Sequence, residues 1–115
     1  ASKGTVINTG SLAGFFPITG ISSYAISKLG LIGLGRVVMH EGQSAGVQSF
    51  IINLGLVNTP MLSRSVVLKD MPESDISEID EVVAEFMACL NGQRSHLMGT
   101  PYPFAPARGI KPKQL

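Results

Sequence analysis

Residues 4–9, Gly-Thr-Val-Ile-Asn-Thr, decide the fold of this 115-residue chain. Thr, Val and Ile crowd together just before a Gly-Ser turn, a composition that predicts a β-strand. Because the apolar residues Val6 and Ile7 are adjacent, we expect both faces of this strand to be covered, as in an inner strand of a parallel sheet. A helical pattern over 23–43 and a second strand over 47–52 follow, and this order predicts a right-handed strand-helix-strand crossover.

A tyrosine and a lysine lie four residues apart near the start of the predicted helix, at Tyr24 and Lys28. On a helix this spacing puts both side chains on one face, where the ammonium favours the phenolate form of the tyrosine. Such a phenol is a usable acid or base near neutral pH. Ser11 follows the first predicted strand directly. The alternative interpretation of the pair is an amphipathic helix whose lysine extends along its surface into solvent.

Three motifs, in this order and at comparable spacings, resemble the short-chain dehydrogenase/reductase family: residues 10–14 (Gly-Ser-Leu-Ala-Gly), the start of the helix at 22–33, and residues 53–61 (Asn-Leu-Gly-Leu-Val-Asn-Thr-Pro-Met). The resemblance implies an α/β fold, the C-terminal portion of a Rossmann-like doubly wound parallel sheet from the family's fifth strand onward. The sequence has no glycine-rich pyrophosphate turn between a strand and a helix. We therefore expect the sheet to be incomplete without an N-terminal dinucleotide-binding half, which lies outside this chain or on another polypeptide.

The same resemblance implies a catalytic trio of Ser11, Tyr24 and Lys28. Tyr24 would act as the general acid or base in the interconversion of a secondary alcohol and a ketone. Lys28 would support Tyr24 and bind the nicotinamide ribose, and Ser11 would orient the substrate oxygen. These roles describe an oxidoreductase that acts on a small-molecule alcohol or ketone.

The resemblance further implies that NAD or NADP is the cofactor, bound by Tyr24, Lys28 and the loop after the second strand. In this loop Gly55, Val57 and Thr59 match the family's nicotinamide-binding positions. Gly55 would let the chain approach the ring, because glycine has no side chain. A leucine precedes Gly55 where the family usually has proline, so this loop is expected to be less rigid.

The rest of the chain is predicted from pattern and composition. Asn53 and Asn58 are interpreted as turn residues. The family resemblance implies an apolar substrate lid over residues 62–76, and packing into an oligomer contact is the alternative interpretation. A helix is predicted over 77–90 from apolar residues at helical spacing, with acids near its start and on a solvated face. Prolines interrupt the last segment, which predicts a short edge strand or an extended tail over 100–115.

Composition excludes several classes of function. The net charge is +1 and no basic stripe with interleaved aromatics is present, so neither nucleic acid nor a membrane is expected as a partner. Cys89 is the only cysteine, so neither an intrachain disulfide nor a metal cluster is expected. No apolar stretch is long enough to span a bilayer and no signal pattern is present, which makes a cytoplasmic location the default expectation.

Gly30, Gly33 and Gly35 interrupt the predicted helix. Each costs about 1 kcal/mol of helix stability relative to alanine, which suggests that another backbone comes close. With the family resemblance, this predicts a homo-oligomer or a partner chain that supplies the N-terminal half. The alternative function is a noncatalytic, truncated relative that serves as an oligomerisation or interaction module.

Overall fold

A parallel sheet of three strands with a helix on each face forms the centre of the fold. The computed structural model describes residues 3–12, 20–63 and 75–105. Two 3₁₀ turns, Gln43–Ala45 and Ser95–Leu97, accompany the helices and strands. In chain order these are β1 (Gly4–Ser11), α1 (Ser22–Gly42), β2 (Val47–Leu54), β3 (Leu56–Val57), α2 (Pro60–Ser63), β4 (Ile76–Ser77), α3 (Ile79–Leu90) and β5 (Pro101–Phe104).

The strands of the main sheet follow the order β1-β2-β5, and both pairs are parallel. β1 and β2 pair in register up to Ser11, which lies opposite Leu54, and Leu54 in turn lies opposite Phe104 of β5. All three strands therefore end at the same edge of the sheet. The predicted α/β fold with a parallel sheet is confirmed, and β1 and β2 both run further toward this edge than predicted.

α1 packs on one face of the sheet through Gly35. A Cβ at this position would collide with the Ile51 side chain, so only glycine allows the helix to come this close. Ser49 Oγ donates a hydrogen bond to the Gly35 carbonyl oxygen at 2.9 Å and ties β2 to the helix. Gly30 and Gly33 are different, because no described atom lies within 4 Å of where their Cβ would be.

β1 is less covered than predicted at its start. Val6 is 38% exposed, whereas Phe50, Ile51 and Ile52 of β2 are completely buried. The difference follows from position: β2 has a strand on each side, whereas β1 pairs only with β2 among the described strands. The expectation that both faces of the first strand are covered is therefore wrong near Val6.

α3 packs on the other face of the sheet, where Phe50, Ile52 and Cys89 form the core. The helix begins at Ile79, after β4, with a capping box in which Glu78 and Glu81 each bind the other's backbone N–H. The predicted helix is confirmed, and its Phe86 packs against this core. Four other apolar residues of the helix are about half exposed: Ile79, Val83, Met87 and Leu90.

Glu85 of α3 is buried because its carboxylate is fully partnered. Arg94 donates to it through Nε at 2.7 Å and Nη2 at 3.0 Å, and the Tyr102 hydroxyl donates at 2.8 Å. Cys89 Sγ lies 3.2 Å from the same hydroxyl. Burial and these hydrogen bonds raise the pKa of Tyr102 far above its ordinary value, and the hydrogen bond to Glu85 raises the pKa of Arg94. The prediction that Glu85 lies on a solvated face is wrong.

β5 shows how prolines fit into a strand. Phe104 accepts a hydrogen bond from Gly55 N at 3.1 Å, so the even-numbered residues of β5 face β2. Pro101 and Pro103 alternate with them and point their ring nitrogens to the outer edge, where no ladder partner is needed. Of the two predicted alternatives, a short edge strand and an extended tail, the structure shows the edge strand. Residues 106–115 of the expected tail lie outside the described residues.

Asn53 and the expected lid region also differ from the sequence prediction. Asn53 lies inside β2 and is completely buried, so its interpretation as a turn residue is wrong. Asn58 is exposed after β3, where its Nδ2 donates to Glu78 at 3.1 Å. Of the predicted lid, residues 62–63 belong to α2 and Ile76 belongs to β4. Residues 64–74 lie outside the described residues.

Candidate active site

The start of α1 places Tyr24 near the edge where the strands end. Gly20 precedes the helix with φ 89°, a left-handed conformation that favours glycine. The first helical hydrogen bond runs from Ala25 N to Ile21 O at 2.9 Å, and Ser27 Oγ donates to Tyr24 O at 2.7 Å. Tyr24 therefore lies in the first turn of α1, with its side chain half-buried.

Lys28 joins this helix to the end of β1. Its Nζ donates a hydrogen bond to the carbonyl oxygen of Thr9 at 3.1 Å and lies 5.7 Å from the centre of the Tyr24 ring. This is within the range at which a cation interacts with an aromatic ring. The Lys28 ammonium therefore lies between β1 and the Tyr24 ring. It does not extend into solvent, as the alternative interpretation of the pair expected.

Ser11 is the last residue of β1, two positions beyond the Thr9 carbonyl that binds Lys28. It is half-buried and lies opposite Leu54 at the end of β2. The three predicted catalytic residues therefore lie at the same edge of the sheet. In parallel α/β sheets, the carboxyl edge is where ligands bind.

The loop after β2 begins at this same edge. Gly55 donates its N–H to Phe104, and a Cβ at Gly55 would meet only Leu12 at 3.5 Å and the Phe104 oxygen at 3.6 Å, which are ordinary contacts. The described chain itself therefore does not require a glycine here. Val57 pairs with Ser77 in the small β3–β4 ladder, in which Asn58 N donates to Ser77 O at 2.9 Å. In such a ladder, the N–H and C=O of Val57 point away from β4.

Thr59 caps the short helix α2. Its Oγ1 accepts a hydrogen bond from Leu62 N at 3.3 Å, and Pro60 occupies the first helical position, where a missing N–H costs nothing. A hydroxyl that accepts in this way still has its own hydrogen to donate. Gly55, Val57 and Thr59 thus follow β2 as one short segment beside the ends of the strands.

Sequence reasoning missed two buried polar residues near this edge. Asn53 Nδ2 and Oδ1, and Ser77 Oγ, have no hydrogen-bond partner among the described residues. Asn53 lies opposite Gly10, and a Cβ at Gly10 would collide with Asn53 Oδ1. The matched pair of a small and a polar residue is a signal that appears only once the register of β1 and β2 is known.

Neither a metal site nor a membrane span is found in the part of the chain that the structure describes. Residues 3–12, 20–63 and 75–105 contain no group of three His, Cys, Asp or Glu side chains placed to hold a metal ion. None of the helices in these ranges combines the length and hydropathy needed to cross a bilayer.

Comparison with known proteins gives the family. The model of the short chain dehydrogenase family matches residues 1–67, which is more than half of the chain. The chain therefore belongs to the short-chain dehydrogenase family, as the three sequence motifs predicted, and the Rossmann-type parallel sheet agrees with this family.

Individual relatives support the same conclusion. Cyclohexanol dehydrogenase of Acinetobacter sp. (strain SE19) is 27% identical over 105 residues, which cover 89% of this chain and 42% of that protein. Levodione reductase has a similar structure, with a TM-score of 0.74 and 26% identity over 86% of this chain and 44% of the other. The 3-ketoacyl-(acyl-carrier-protein) reductase of Brucella melitensis, solved with NADH, matches in fold with a TM-score of 0.78 at 18% identity, over 92% and 44% of the two chains. The chain spans less than half the length of these relatives.

Proposed function

We propose that this chain carries the catalytic half of an NAD(P)-dependent oxidoreductase that interconverts a secondary alcohol and a ketone. The observation that carries the proposal is Lys28, whose ammonium binds the Thr9 carbonyl and lies beside the Tyr24 ring at the carboxyl edge of the sheet. This geometry brings a cation, a phenol and the end of β1 together where ligands bind in such sheets. The oxidoreductases among its relatives support the reaction class.

In this proposal Tyr24 gives its phenolic proton to the carbonyl oxygen during reduction and takes the hydroxyl proton during oxidation. Lys28 supports both directions, because its positive charge favours the phenolate that the reduction leaves on Tyr24. Ser11, at the end of β1, donates a hydrogen bond that orients the substrate oxygen. NAD or NADP, when bound, would supply or accept the hydride.

The loop after β2 fits such a cofactor. A nicotinamide carboxamide has both donors and acceptors, and Val57 points its backbone N–H and C=O away from β4. Thr59 keeps a hydroxyl hydrogen, and Gly55 has space that its own chain does not fill. We infer that these three residues hold the nicotinamide, together with Tyr24 and Lys28. From the family resemblance, we also propose that residues 62–76 form a substrate lid.

The outer face of α1 supports association with another chain. Three of its apolar side chains are at least half exposed, Ile26 at 70%, Leu34 at 51% and Val37 at 50%. Gly30 and Gly33 lie on the same helix with open space above them. We propose that this face is covered in a homo-oligomer or by the polypeptide that supplies the N-terminal half. The same exposure favours the second candidate function, a noncatalytic interaction module.

The test compares the two tyrosines of the chain, Tyr24 and Tyr102. Tyr24→Phe is expected to lower kcat for NAD(P)-linked oxidation of secondary alcohols by about 1,000-fold, the range that removal of a general acid/base produces. Tyr102→Phe is the matched control, because Tyr102 belongs to the Glu85 network, and its kcat is expected to stay within about threefold of the parent. Unchanged turnover in Tyr24→Phe would remove the proposed mechanism. Association without any cofactor binding would favour the interaction module.

A further inference from the structure

β5 forms one edge of the described sheet. It pairs only with β2 among the described strands, and its residues, Pro101–Phe104, are all half-buried. An edge strand normally has a row of unpaired N–H and C=O groups, which is a template for another strand. The backbone groups that β5 turns to its outer side therefore decide whether the sheet can be extended there.

The register of β5 fixes which of these groups point outward. Phe104 accepts a hydrogen bond from Gly55 N at 3.1 Å, so the backbone groups of Phe104 face β2. Along a strand, successive residues turn their backbone groups to alternate sides. Tyr102 therefore also faces β2, whereas Pro101 and Pro103 face outward.

The outer edge of β5 consequently has acceptors but no donors within the strand. Pro101 and Pro103 have carbonyl oxygens but no N–H. A strand that joined this edge could donate to these oxygens, but its own carbonyl groups would find no donor on β5. Carbonyl groups that lose water without gaining a partner oppose such a contact.

Pairing between two copies of β5 is opposed most strongly. A twofold axis beside Tyr102 would place Pro101 of one copy opposite Pro103 of the other in an antiparallel pair. Acceptors would then face acceptors at both positions. No hydrogen bond would join the two strands in this arrangement.

β1, at the other edge of the described sheet, is different. Since Phe104 faces β2, Leu54 opposite it faces β1, and alternation then turns Ile7 and Thr9 away from β2. Both residues have an N–H as well as a C=O, and the Thr9 carbonyl accepts a hydrogen bond from Lys28. This edge therefore has donors as well as acceptors, which the edge of β5 does not.

We propose that Pro101 and Pro103 end the sheet at β5. Neither a second copy of this chain nor another polypeptide extends the sheet across this edge, and a further strand joins beside β1. The two prolines thus prevent edge-to-edge assembly. This inference is independent of the proposed function, because it depends on backbone groups alone.

The test restores the missing donors in the intact protein. In the double variant Pro101→Val with Pro103→Val, both outward positions regain an N–H on a residue that favours strands. Two copies can then exchange hydrogen bonds at both positions. We expect sedimentation velocity to show assemblies of about twice the mass of those of the parent. Each single variant restores half of these bonds, and its dissociation constant should be weaker than that of the double variant by about tenfold.

Two controls separate the restored donors from added apolar surface. Pro101→Thr with Pro103→Thr restores the same N–H groups on polar side chains, and it should associate as the valine variant does. Thr100→Val places a valine at an exposed position beside β5 and adds no N–H to its outer edge. This variant should keep the mass of the parent.

Hydrogen exchange identifies the contact. In the assembled double variants, the amides restored at positions 101 and 103 should exchange at least about tenfold more slowly than in dilute, unassociated protein. If the valine double variant does not fold, the threonine double variant and the single variants decide. Three results would overturn the inference: no variant associates beyond the parent, only the valine variants associate, or association leaves these amides unprotected.

Discussion

The two tyrosines of this chain lie on opposite faces of one sheet and in opposite electrostatic surroundings. Tyr24, on the α1 side, has the Lys28 ammonium beside its ring, whereas Tyr102, on the α3 side, donates its hydrogen to the buried Glu85 carboxylate. Burial and the neighbouring carboxylate favour the neutral phenol of Tyr102 and raise its pKa. The same side chain is therefore a buried hydrogen-bond donor on one face and, in the proposed function, the group that exchanges a proton on the other.

The buried polar groups around Glu85 and those of Asn8 and Asn53 also differ in how completely they are paired among the described residues. On the α3 side, the Glu85 carboxylate receives hydrogen bonds from Arg94 and Tyr102. On the α1 side, the amides of Asn8 and Asn53 have buried atoms without a described partner. Fully paired networks stabilise a core, whereas buried polar groups without protein partners are typical of places that bind something else. This contrast agrees with the proposal that the chemistry takes place on the α1 side.

The largest effect that tests the contrast is expected from Lys28→Met. The substitution keeps a long side chain but removes the cation beside Tyr24 and the hydrogen bond to Thr9. We expect kcat to fall by about 100-fold or more, because the phenolate loses its neighbouring positive charge. Steady-state kinetics with a secondary alcohol measure it.

Lys28→Arg is the control for this variant, since it keeps the charge on a planar group of different geometry. It should retain more activity than Lys28→Met. If Lys28→Met has the same kcat as the parent, the Lys28 ammonium does not contribute to catalysis. The proposed catalytic difference between Tyr24 and Tyr102 would then be contradicted.

Much of the α1 side could be predicted from the sequence because its signals are local. The crowded Thr, Val and Ile residues before Gly10 indicate β1, and the spacing of Tyr24 and Lys28 already puts the phenol and the ammonium on one helix face. The common edge of β1 and β2 then follows from parallel strand order alone. The parallel strand-helix-strand unit was thus predictable from local patterns, whereas the Rossmann-like fold and the proposed site residues came from the family resemblance.

The α3 side could not be predicted, because its pattern depends on partners from elsewhere in the chain. Glu85 is inside because Arg94 and Tyr102 reach it from outside the helix, so charge alone gave the wrong face of α3. Asn53 was misplaced for a related reason. Its space is made by Gly10 on a different strand, and a turn preference read along the chain contains nothing about that neighbour.

A smaller effect, on stability, is expected from Arg94→Met. The variant leaves the buried Glu85 carboxylate without its cation, which typically costs 3–5 kcal/mol for a deeply buried pair. Because Arg94 itself is about one-third exposed, we expect the free energy of unfolding to fall by about 2–3 kcal/mol. Urea unfolding measures it, and kcat should remain within about threefold of the parent.

The double variant Arg94→Met with Glu85→Gln sharpens this test. Removing both charges removes the cost of burying one of them alone, so part of the lost stability should return. If the double variant is no more stable than Arg94→Met, the ion pair is not what allows Glu85 to be buried. The Arg94–Glu85 pair would then not be evidence that the polar groups around Glu85 stabilise the core.

The smallest effect is expected at alkaline pH, from Tyr102→Phe. Burial raises the pKa of Tyr102 in the folded chain, so above about pH 10 the unfolded chain loses a phenolic proton that the folded chain keeps. The contribution of Tyr102 to the free energy of unfolding is thus fully present below about pH 10. It should decline above that by up to about 1.4 kcal/mol per pH unit.

Urea unfolding of the parent and of Tyr102→Phe between about pH 8 and pH 11 measures this decline. Tyr102→Phe should lose it, while Tyr24→Phe keeps Tyr102 and should therefore retain it. A weaker decline from about pH 9 should remain in Tyr102→Phe, because burial also raises the pKa of Cys89. If Tyr102→Phe and the parent lose stability equally as the pH rises, Tyr102 is not held as a neutral donor to Glu85. The two tyrosines would then not differ in the way that their surroundings indicate.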